Sequence, residues 1–329
     1  MPGLLVFTIA KAIFIANDPA MDAPSIFAID THYIRPKLAA SHLIVANGRG
    51  AFVDTGANSS VPHLLAELPR HGLKPIDIDY VLLTHVHLDH AGGAGTLMRS
   101  LPNAKCAVHP RGARHMIDPT KLIAASQQVY GDDRFAKLYG ELVPIPADRV
   151  ITIEDGTRLK FGNREFEFIH TAGHANHHYC IVDEAAGIIF AGDTFGVSYR
   201  ELDTDRGAFI MPITTPSQFD PEAAHQSLDR LLRYRPHAIY VTHYSRLESV
   251  AKLAANLHEE LDAYVDIARR YLGSPKRLHS ITEALWVHTN HRLDDHGVRK
   301  DEGFRHSLLD GDIKLNAQGL EVWLHQQAA

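Results

Sequence analysis

The segment 84–93 carries four side chains of the kinds that bind metal ions in proteins. They are His85, His87, Asp89 and His90, in the pattern His-x-His-x-Asp-His. Imidazole nitrogens and carboxylate oxygens, without thiolate, suit Zn²⁺ and also Fe or Mn. Because His85 and His87 are two residues apart at the end of a predicted strand, Asp79–Thr84, their side chains point to the same side. The spacing therefore predicts a metal site at the end of this strand.

Four further segments each place one polar side chain at or just beyond a predicted strand end. Asp54 stands in an Asp-Thr-Gly turn, His174 in a Thr-Ala-Gly-His turn, Asp193 in a Gly-Asp-Thr segment and His243 in a Thr-His pair. A single histidine or aspartate of this kind is usually structural. Side chains at several strand ends can gather at one edge of a sheet sandwich, so we expect these residues to join the first group.

The elements that must position these residues fall into two strand-rich halves followed by a helical region. The predicted strands are Ser25–Ile29, His42–Ala46, Ala51–Asp54, Asp79–Thr84 and Cys106–His109, then Val150–Ile153, Arg158–Phe161, Glu165–His170, Tyr179–Asp183, Gly187–Ala191 and Ala238–Thr242. Helical spacing is found in Val61–His71, Gly95–Ser100, Pro119–Tyr139, Pro221–Tyr234, Ser249–Tyr271, Ser280–His291, Gly303–Leu309 and Ala317–His325. We expect residues 1–20 to be an extension outside the fold, 21–250 a catalytic domain with a helical insertion at 119–139, and 251–329 a helical region.

The composition is that of a folded globular protein with an excess of histidine. Of the 329 residues, 23 are histidine, 45% are hydrophobic and 22% are charged, which excludes a disordered or coiled-coil chain. The formal net charge of −6 gives no overall positive field, so we expect neither nucleic acid nor a membrane as a partner. Only two cysteines are present, too few for a disulfide framework, which favours a reducing, cytoplasmic compartment.

The five chemistry-bearing segments, in their order along the chain, resemble those of the metallo-β-lactamase superfamily, in its glyoxalase-II-like or lactonase-like branch. The resemblance spans Ile26–Tyr244. It implies an α/β (α+β) fold, a four-layer αββα sandwich, here with a helical insertion and a C-terminal helical extension. It also implies an enzyme, a metal-dependent hydrolase.

The resemblance further implies a role for each site residue. His85, His87 and His174 would bind a first metal ion, Asp89, His90 and His243 a second, and Asp193 would bridge both. Asp54 would orient a ligand histidine, and His178 would support the site without binding an ion. The cofactors would be two divalent ions, with Zn²⁺ the best fit and Fe or Mn open. Two ions about 3.5–4 Å apart can hold a bridging hydroxide, and Asp89 would assist with its proton.

Departures from the family pattern narrow the substrate. The common β-lactam-cleaving members of the family differ from this chain in two ways: here an aspartate, Asp193, would bridge the ions, and position 90 is a histidine. β-Lactams are therefore not the expected substrates. Lactone-cleaving relatives carry a tyrosine where this chain has Gly196, and the segment 194–200 lacks the glutathione-site pattern of glyoxalase-II-like relatives. Residues that follow the ligand-bearing strand ends are candidates for contact with the substrate: Tyr199, Arg200, Phe209 and Tyr244.

We therefore expect a dinuclear hydrolase that acts on a small ester, thioester or lactone. Two alternatives stay open, a phosphodiester or RNA hydrolase of the same superfamily and a mononuclear iron dioxygenase that acts on persulfides. The insertion at 119–139 would either cap the site or form a contact in a homodimer.

Overall fold

Two six-stranded sheets form the centre of the molecule in the computed structural model, which describes residues 25–327. The expected extension at 1–20 lies outside the described residues. In the first sheet the strands lie in sequence order: β1 Ser25–Asp30, β2 Ala40–Ala46, β3 Arg49–Val53, β4 Ile78–Leu82, β5 Lys105–Val108 and β6 Val150–Thr152. β1, β2 and β3 pair antiparallel and β3 to β6 pair parallel. The turn between β2 and β3 has positive φ angles at Asn47 and Gly48, as a tight hairpin requires.

The second sheet is likewise ordered along the chain. Its strands are β7 Arg158–Phe161, β8 Arg164–His170, β9 Tyr179–Asp183, β10 Ile188–Gly192, β11 Ala238–Val241 and β12 Ser245–Leu247. Only β10 and β11 pair parallel among these described strands. Their connection contains helix α7, Pro221–Arg233, whose N-terminus is capped by Asp220 through a bond to the Ala223 N–H.

Helices cover both outer faces. They are α1 Val61–Glu67, α2 Leu88–Ala91, α3 Ala94–Ser100, α4 Pro110–Ile117, α5 Thr120–Tyr130, α6 Asp132–Tyr139, α7, α8 Val250–Arg270, α9 Arg277–His296 and α10 Glu302–Gln327. Among residues 25–327, no helix is both long and apolar enough to cross a bilayer.

Three apolar layers hold these elements together. Between the sheets lie fully buried side chains such as Ile44, Leu82 and Phe168. The outer face of the first sheet packs on α1, α3 and α4, and that of the second packs on α7 and on α8 to α10. This arrangement is the predicted four-layer αββα sandwich with a C-terminal helical extension, and the predicted fold class is confirmed.

The helical regions differ in detail from the sequence-based expectation. The stretch predicted at Pro119–Tyr139 is two helices, α5 and α6, separated at Gly131, which has φ +76°. The two helices predicted at Gly303–Leu309 and Ala317–His325 are parts of the single helix α10. Helix α10 continues through this region because no proline interrupts it and Ile313 and Asn316 are buried.

Candidate metal centre

Every predicted ligand lies just after a strand, and these strand ends meet at one edge of the sandwich. β4 ends at Leu82, so His85, His87, Asp89 and His90 lie in the loop and short helix α2 that follow it. His174 follows β8, Asp193 follows β10 and His243 follows β11. The structure brings all seven side chains into two adjacent sets.

The first set consists of His85, His87, His174 and Asp193. His87 Nδ1 lies 2.9 Å from both His85 Nε2 and His174 Nε2. Asp193 Oδ2 lies 3.4 Å from His174 Nε2 and 3.8 Å from His85 Nε2. Three imidazole nitrogens and one carboxylate oxygen thus converge on one point.

The second set consists of Asp89, His90 and His243. Asp89 Oδ2 lies 3.4 Å from His243 Nε2 and 3.7 Å from His90 Nε2. The other oxygen of Asp193, Oδ1, lies 3.2 Å from His90 Nε2 and 3.5 Å from His243 Nε2. The two oxygens of Asp193 therefore face different sets.

Two buried atoms of these sets show that the residues present fit a cation. His90 Nε2 and Asp193 Oδ1 are buried and make no hydrogen bond that satisfies them. Native proteins rarely leave such atoms unpaired. A divalent ion beside them would take a lone pair from each, and the nitrogen and oxygen donors are those of Zn²⁺, Fe or Mn sites.

The outer nitrogens of the histidines are held by neighbouring groups. His90 Nδ1 lies 2.8 Å from Asp54 Oδ2, and His243 Nδ1 lies 2.9 Å from the Leu38 carbonyl oxygen. Because these oxygens accept hydrogen bonds from Nδ1–H, the Nε2 atoms of both rings face Asp193 and can bind an ion once they are deprotonated.

Asp54 also connects the two sets. The Thr84 hydroxyl donates to Asp54 and lies 3.1 Å from His85 Nδ1, from which it can accept. The Thr84 N–H and the Thr242 hydroxyl donate to the same carboxylate. Asp54 is buried and has φ +57°, an uncommon backbone conformation that is concentrated at functional sites.

His178 supports the backbone of Asp193. Its Nε2 lies 3.2 Å from the Asp193 N–H and accepts from it, while its Nδ1 faces the hydroxyls of Thr171 and Thr194 at 2.9 and 3.1 Å. Gly192 has φ +48°, and a Cβ there would lie 2.6 Å from His178 Nε2, so a larger residue would displace this histidine.

The electrostatic surroundings of the two sets differ. Burial lowers the pKa of His85 well below its ordinary value and that of His87 to about 3, so these rings are neutral, as metal binding requires. Burial alone would also lower the pKa of His90, but the carboxylates of Asp193, Asp89 and Asp54 raise it well above the ordinary value. The second set is therefore the part of the site that attracts positive charge more strongly.

The candidate substrate residues lie in different surroundings. Tyr199 is buried and its hydroxyl donates to Asp312 at 3.1 Å. Arg200 donates to the carbonyl oxygen and hydroxyl of Ser198 and lies 3.5 Å from Asp203. Phe209 is buried with its ring against His296, and Tyr244 is partly buried, which raises the pKa of its hydroxyl.

Sequence reasoning missed two groups of side chains beside the centre. Asp312, on α10, interacts electrostatically with His243 and Asp193, and Arg35 is stacked on the Tyr199 ring at 4.4 Å. Tyr33, Tyr130 and Tyr139 are affected electrostatically by Asp89, and the hydroxyls of Tyr33 and Tyr139 lie 2.6 Å apart. None of these residues stands in a recognisable motif, and only the fold brings them to this edge.

A family model for the metallo-beta-lactamase superfamily matches residues 34–243 of this chain. A metallo-beta-lactamase fold-containing protein, ST1585 of Sulfurisphaera tokodaii, is 26% identical over 63% of this chain and 73% of its own. A hydroxyacylglutathione hydrolase of Xanthomonas euvesicatoria pv. vesicatoria is 32% identical over 46% of this chain, and the match spans less than half of that enzyme, 44%.

Solved structures show the same fold. That of ST1585, from Sulfolobus tokodaii, matches 91% of this chain and 98% of its own with a TM-score of 0.63 and 21% identity. A metallo-beta-lactamase family protein of Thermus thermophilus, TTHA1429, matches 92% of this chain and 94% of its own with a TM-score of 0.65 and 18% identity. At these identities the likeness concerns the fold.

Proposed function

The chain belongs to the metallo-beta-lactamase superfamily, whose members are mostly metal-dependent hydrolases, and we propose that it is a dinuclear hydrolase of a small ester, thioester or lactone. The observation that carries this proposal is the position of Asp193. Its Oδ2 faces His85 and His174, and its Oδ1 faces His90 and His243. One carboxylate shared between two ligand sets is suited to two ions.

The first ion would be held by His85, His87 and His174, the second by Asp89, His90 and His243, and both by Asp193. When bound, such ions supply activated water near neutral pH and polarise the carbonyl oxygen of a substrate. The family favours Zn²⁺, and the donor set also accepts Fe or Mn.

We assign Asp89 to the orientation of the attacking water. Burial acts to raise its pKa, but His90 and the bond from His243 lower it to about 2. Asp89 is therefore a carboxylate at neutral pH, an acceptor that can orient a water through its oxygens. Asp89 also acts electrostatically on the hydroxyls of Tyr33, Tyr130 and Tyr139.

The surroundings of the site favour a modest acyl substrate over a polyanion. The cations near the second set are engaged: Arg35 lies 3.1 Å from Glu201, and Arg200 is bonded to Ser198. Asp312 adds a further carboxyl group on the same side. An RNA or other extended phosphodiester would meet carboxyl groups there rather than free basic side chains.

The insertion is suited to select the substrate. Phe135 and Tyr139 of α6 pack with Leu88, which lies between His87 and Asp89. Leu122 and Ile123 of α5 pack against the same cluster. Inserts at strand ends shape pockets without supplying the nucleophile, so we assign the insertion to the recognition of the acyl or leaving group. The hydroxyacylglutathione hydrolases among the relatives make thioesters the first substrates to test.

The test combines metal analysis with a substrate panel. Purified protein should contain two divalent ions per chain and should hydrolyse a member of a thioester, lactone and ester panel without a requirement for oxygen. His87→Ala should lose metal and activity, whereas His63→Ala, on the exposed side of α1, should keep both. One iron per chain with oxygen-dependent turnover of a persulfide, or cleavage of phosphodiesters alone, would contradict the proposal.

A further inference from the structure

A second group of histidines and carboxylates lies away from the metal centre, between helices α7 and α8. His225 and Asp229 are four residues apart on α7, and His258 and Asp262 are four residues apart on α8. Residues at this spacing lie on the same face of a helix, so each helix presents one histidine and one aspartate to the other. The two imidazole rings are nearly parallel, at 8°, with centroids 4.9 Å apart.

The carboxylates determine which nitrogens carry protons. His225 Nε2 lies 3.2 Å from Asp262 Oδ1, and His258 Nε2 lies 3.4 Å from Asp229 Oδ1. A carboxylate beside Nε2 favours the tautomer with the proton on that nitrogen. Both Nδ1 atoms then present lone pairs, yet they face each other at 2.6 Å. Two lone pairs at this distance repel each other, so either a proton or a metal ion must lie between the rings.

Both features of this pattern also occur at the metal centre, on different histidines. There, too, imidazole nitrogens approach each other at 2.9 Å, between His87 and each of His85 and His174. There, too, a carboxylate holds the outer nitrogen of a ring, as Asp54 does for His90. Metal-binding histidines typically donate their second N–H to a carboxylate, carbonyl or water.

We propose that His225 and His258 bind a divalent transition-metal ion through their Nδ1 atoms, with Asp229 and Asp262 holding the rings. Zn²⁺ is the ion that we expect, because imidazole nitrogen is one of its ordinary ligands and water would occupy its remaining positions. The histidine side chains are each about a quarter exposed, at 27%, which leaves room for water on the solvent side. Zn–N bonds of about 2.0–2.1 Å in a tetrahedral site would separate the two nitrogens beyond 2.6 Å, so the rings must rotate apart when the ion binds.

The ion would add a link between helix α7 and the C-terminal helical region, which also docks through apolar packing and through hydrogen bonds such as that of Asn316 with Thr214. Helix α7 lies beside the turn that carries His174, since a Cβ on Gly173 would lie 2.5 Å from the Ala224 backbone. Helix α8 belongs to the C-terminal helical region. A bound ion would therefore stabilise the docking of this region against the sandwich.

Zinc titration of protein whose metal centre is already filled tests the proposal. Isothermal calorimetry should show one further Zn²⁺ per chain, bound in addition to the ions of the centre. His225→Ala and His258→Ala should each abolish this binding or weaken it at least about tenfold, and Asp262→Asn should weaken it by about 10–100-fold. His279→Ala, an exposed histidine of α9, serves as the matched control and should bind as the unmodified protein does.

Two further measurements make the result decisive. The added Zn²⁺ should raise the melting temperature of the unmodified protein but not that of His225→Ala, and activity should be unchanged in that variant, which shows that it folds. Binding of Cu²⁺ in place of Zn²⁺ should give an electron paramagnetic resonance spectrum with coupling to two imidazole nitrogens. The proposal would be overturned if no further ion binds at millimolar Zn²⁺, or if both alanine variants bind it as tightly as the unmodified protein does. The close approach of the two rings would then be explained by a shared proton.

Discussion

Replacement of Asp54 by asparagine tests the idea that one carboxylate orients ligands of both metal sets. Asparagine has nearly the same size as aspartate and tolerates the positive φ angle of this position. It has one acceptor oxygen, however, whereas Asp54 accepts from the Thr84 N–H through Oδ1 and from His90 and Thr242 through Oδ2. The substitution therefore changes hydrogen bonding with little change in shape.

The side-chain amide introduced by Asp54→Asn can adopt two orientations, and each of them disturbs one neighbour. With its oxygen toward the Thr84 N–H, its NH₂ group faces His90 Nδ1 and donates to it, so His90 carries its own proton on Nε2. Nε2 is the atom that faces Asp193 Oδ1 at 3.2 Å, and a protonated nitrogen cannot bind an ion. With the amide reversed, its NH₂ group meets the buried Thr84 N–H, which loses its acceptor.

Loss of such a supporting group typically lowers metal affinity about 10–100-fold, which corresponds to about 1.4–2.7 kcal/mol. The second ion should show this loss, because His90 bonds directly to Asp54. The first should be affected less, because His85 is reached only through the Thr84 hydroxyl. Competition with a chromogenic chelator would measure both dissociation constants.

Thr242→Val provides the matched control. It removes one donor to Asp54 but leaves the bond between Asp54 and His90 in place, so both ions should bind nearly as before. If Asp54→Asn retains two ions with unchanged dissociation constants and a native circular dichroism spectrum, Asp54 does not set the tautomer of His90 and the reasoning fails.

Three further predictions concern groups around the centre. Burial lowers the pKa of His42 to about 4, so as the pH falls this histidine takes up a proton in the unfolded chain before it does so in the folded one. It should therefore account for about 2 kcal/mol of the free energy of unfolding lost between pH 7 and pH 5. Urea denaturation should show a smaller loss over this range for His42→Gln. Asn316→Ala should lower the free energy of unfolding by about 2–3 kcal/mol, because the buried Thr214 N–H loses its acceptor; an unchanged denaturation midpoint would contradict this. Tyr139→Phe should raise KM for ester substrates without changing the metal content. A changed metal content would instead show that the Tyr33–Tyr139 pair positions the metal ligands.

The ligand positions could be predicted from sequence because they depend on local rules. A strand end fixes where a side chain emerges, and His85, His174, Asp193 and His243 each follow a strand whose apolar pattern is readable. The apolar patterns predict the two groups of strands, and the αββα architecture is implied by the resemblance of the five ordered segments to the metallo-β-lactamase superfamily. The expected roles of these residues as ligands stay predictions until metal is measured.

The surroundings of the centre could not be predicted in this way, because they depend on contacts between distant segments. The Tyr33 and Tyr139 hydroxyls meet across 106 residues of sequence, and Tyr199 meets Asp312 across 113. Asp310 and Asp312 are both aspartates of α10, but Asp310 pairs with Lys314 of the same helix, whereas Asp312 accepts from Tyr199 of a distant loop. Its burial raises its pKa to about 6, an effect that no spacing in the sequence reveals.

Helix α10 contributes to these surroundings of the centre. It lies beyond residue 243, where the match to the family model ends. Asn316 accepts from the Thr214 N–H at 2.7 Å and donates to the Pro212 carbonyl oxygen at 3.1 Å. The loop held in this way contains Ile213, whose carbonyl oxygen lies 3.4 Å from His174 Nδ1. The helix that carries Asp312 therefore also supports His174, a predicted ligand of the first ion, so changes in the C-terminal helical region should alter the centre as well as the pocket.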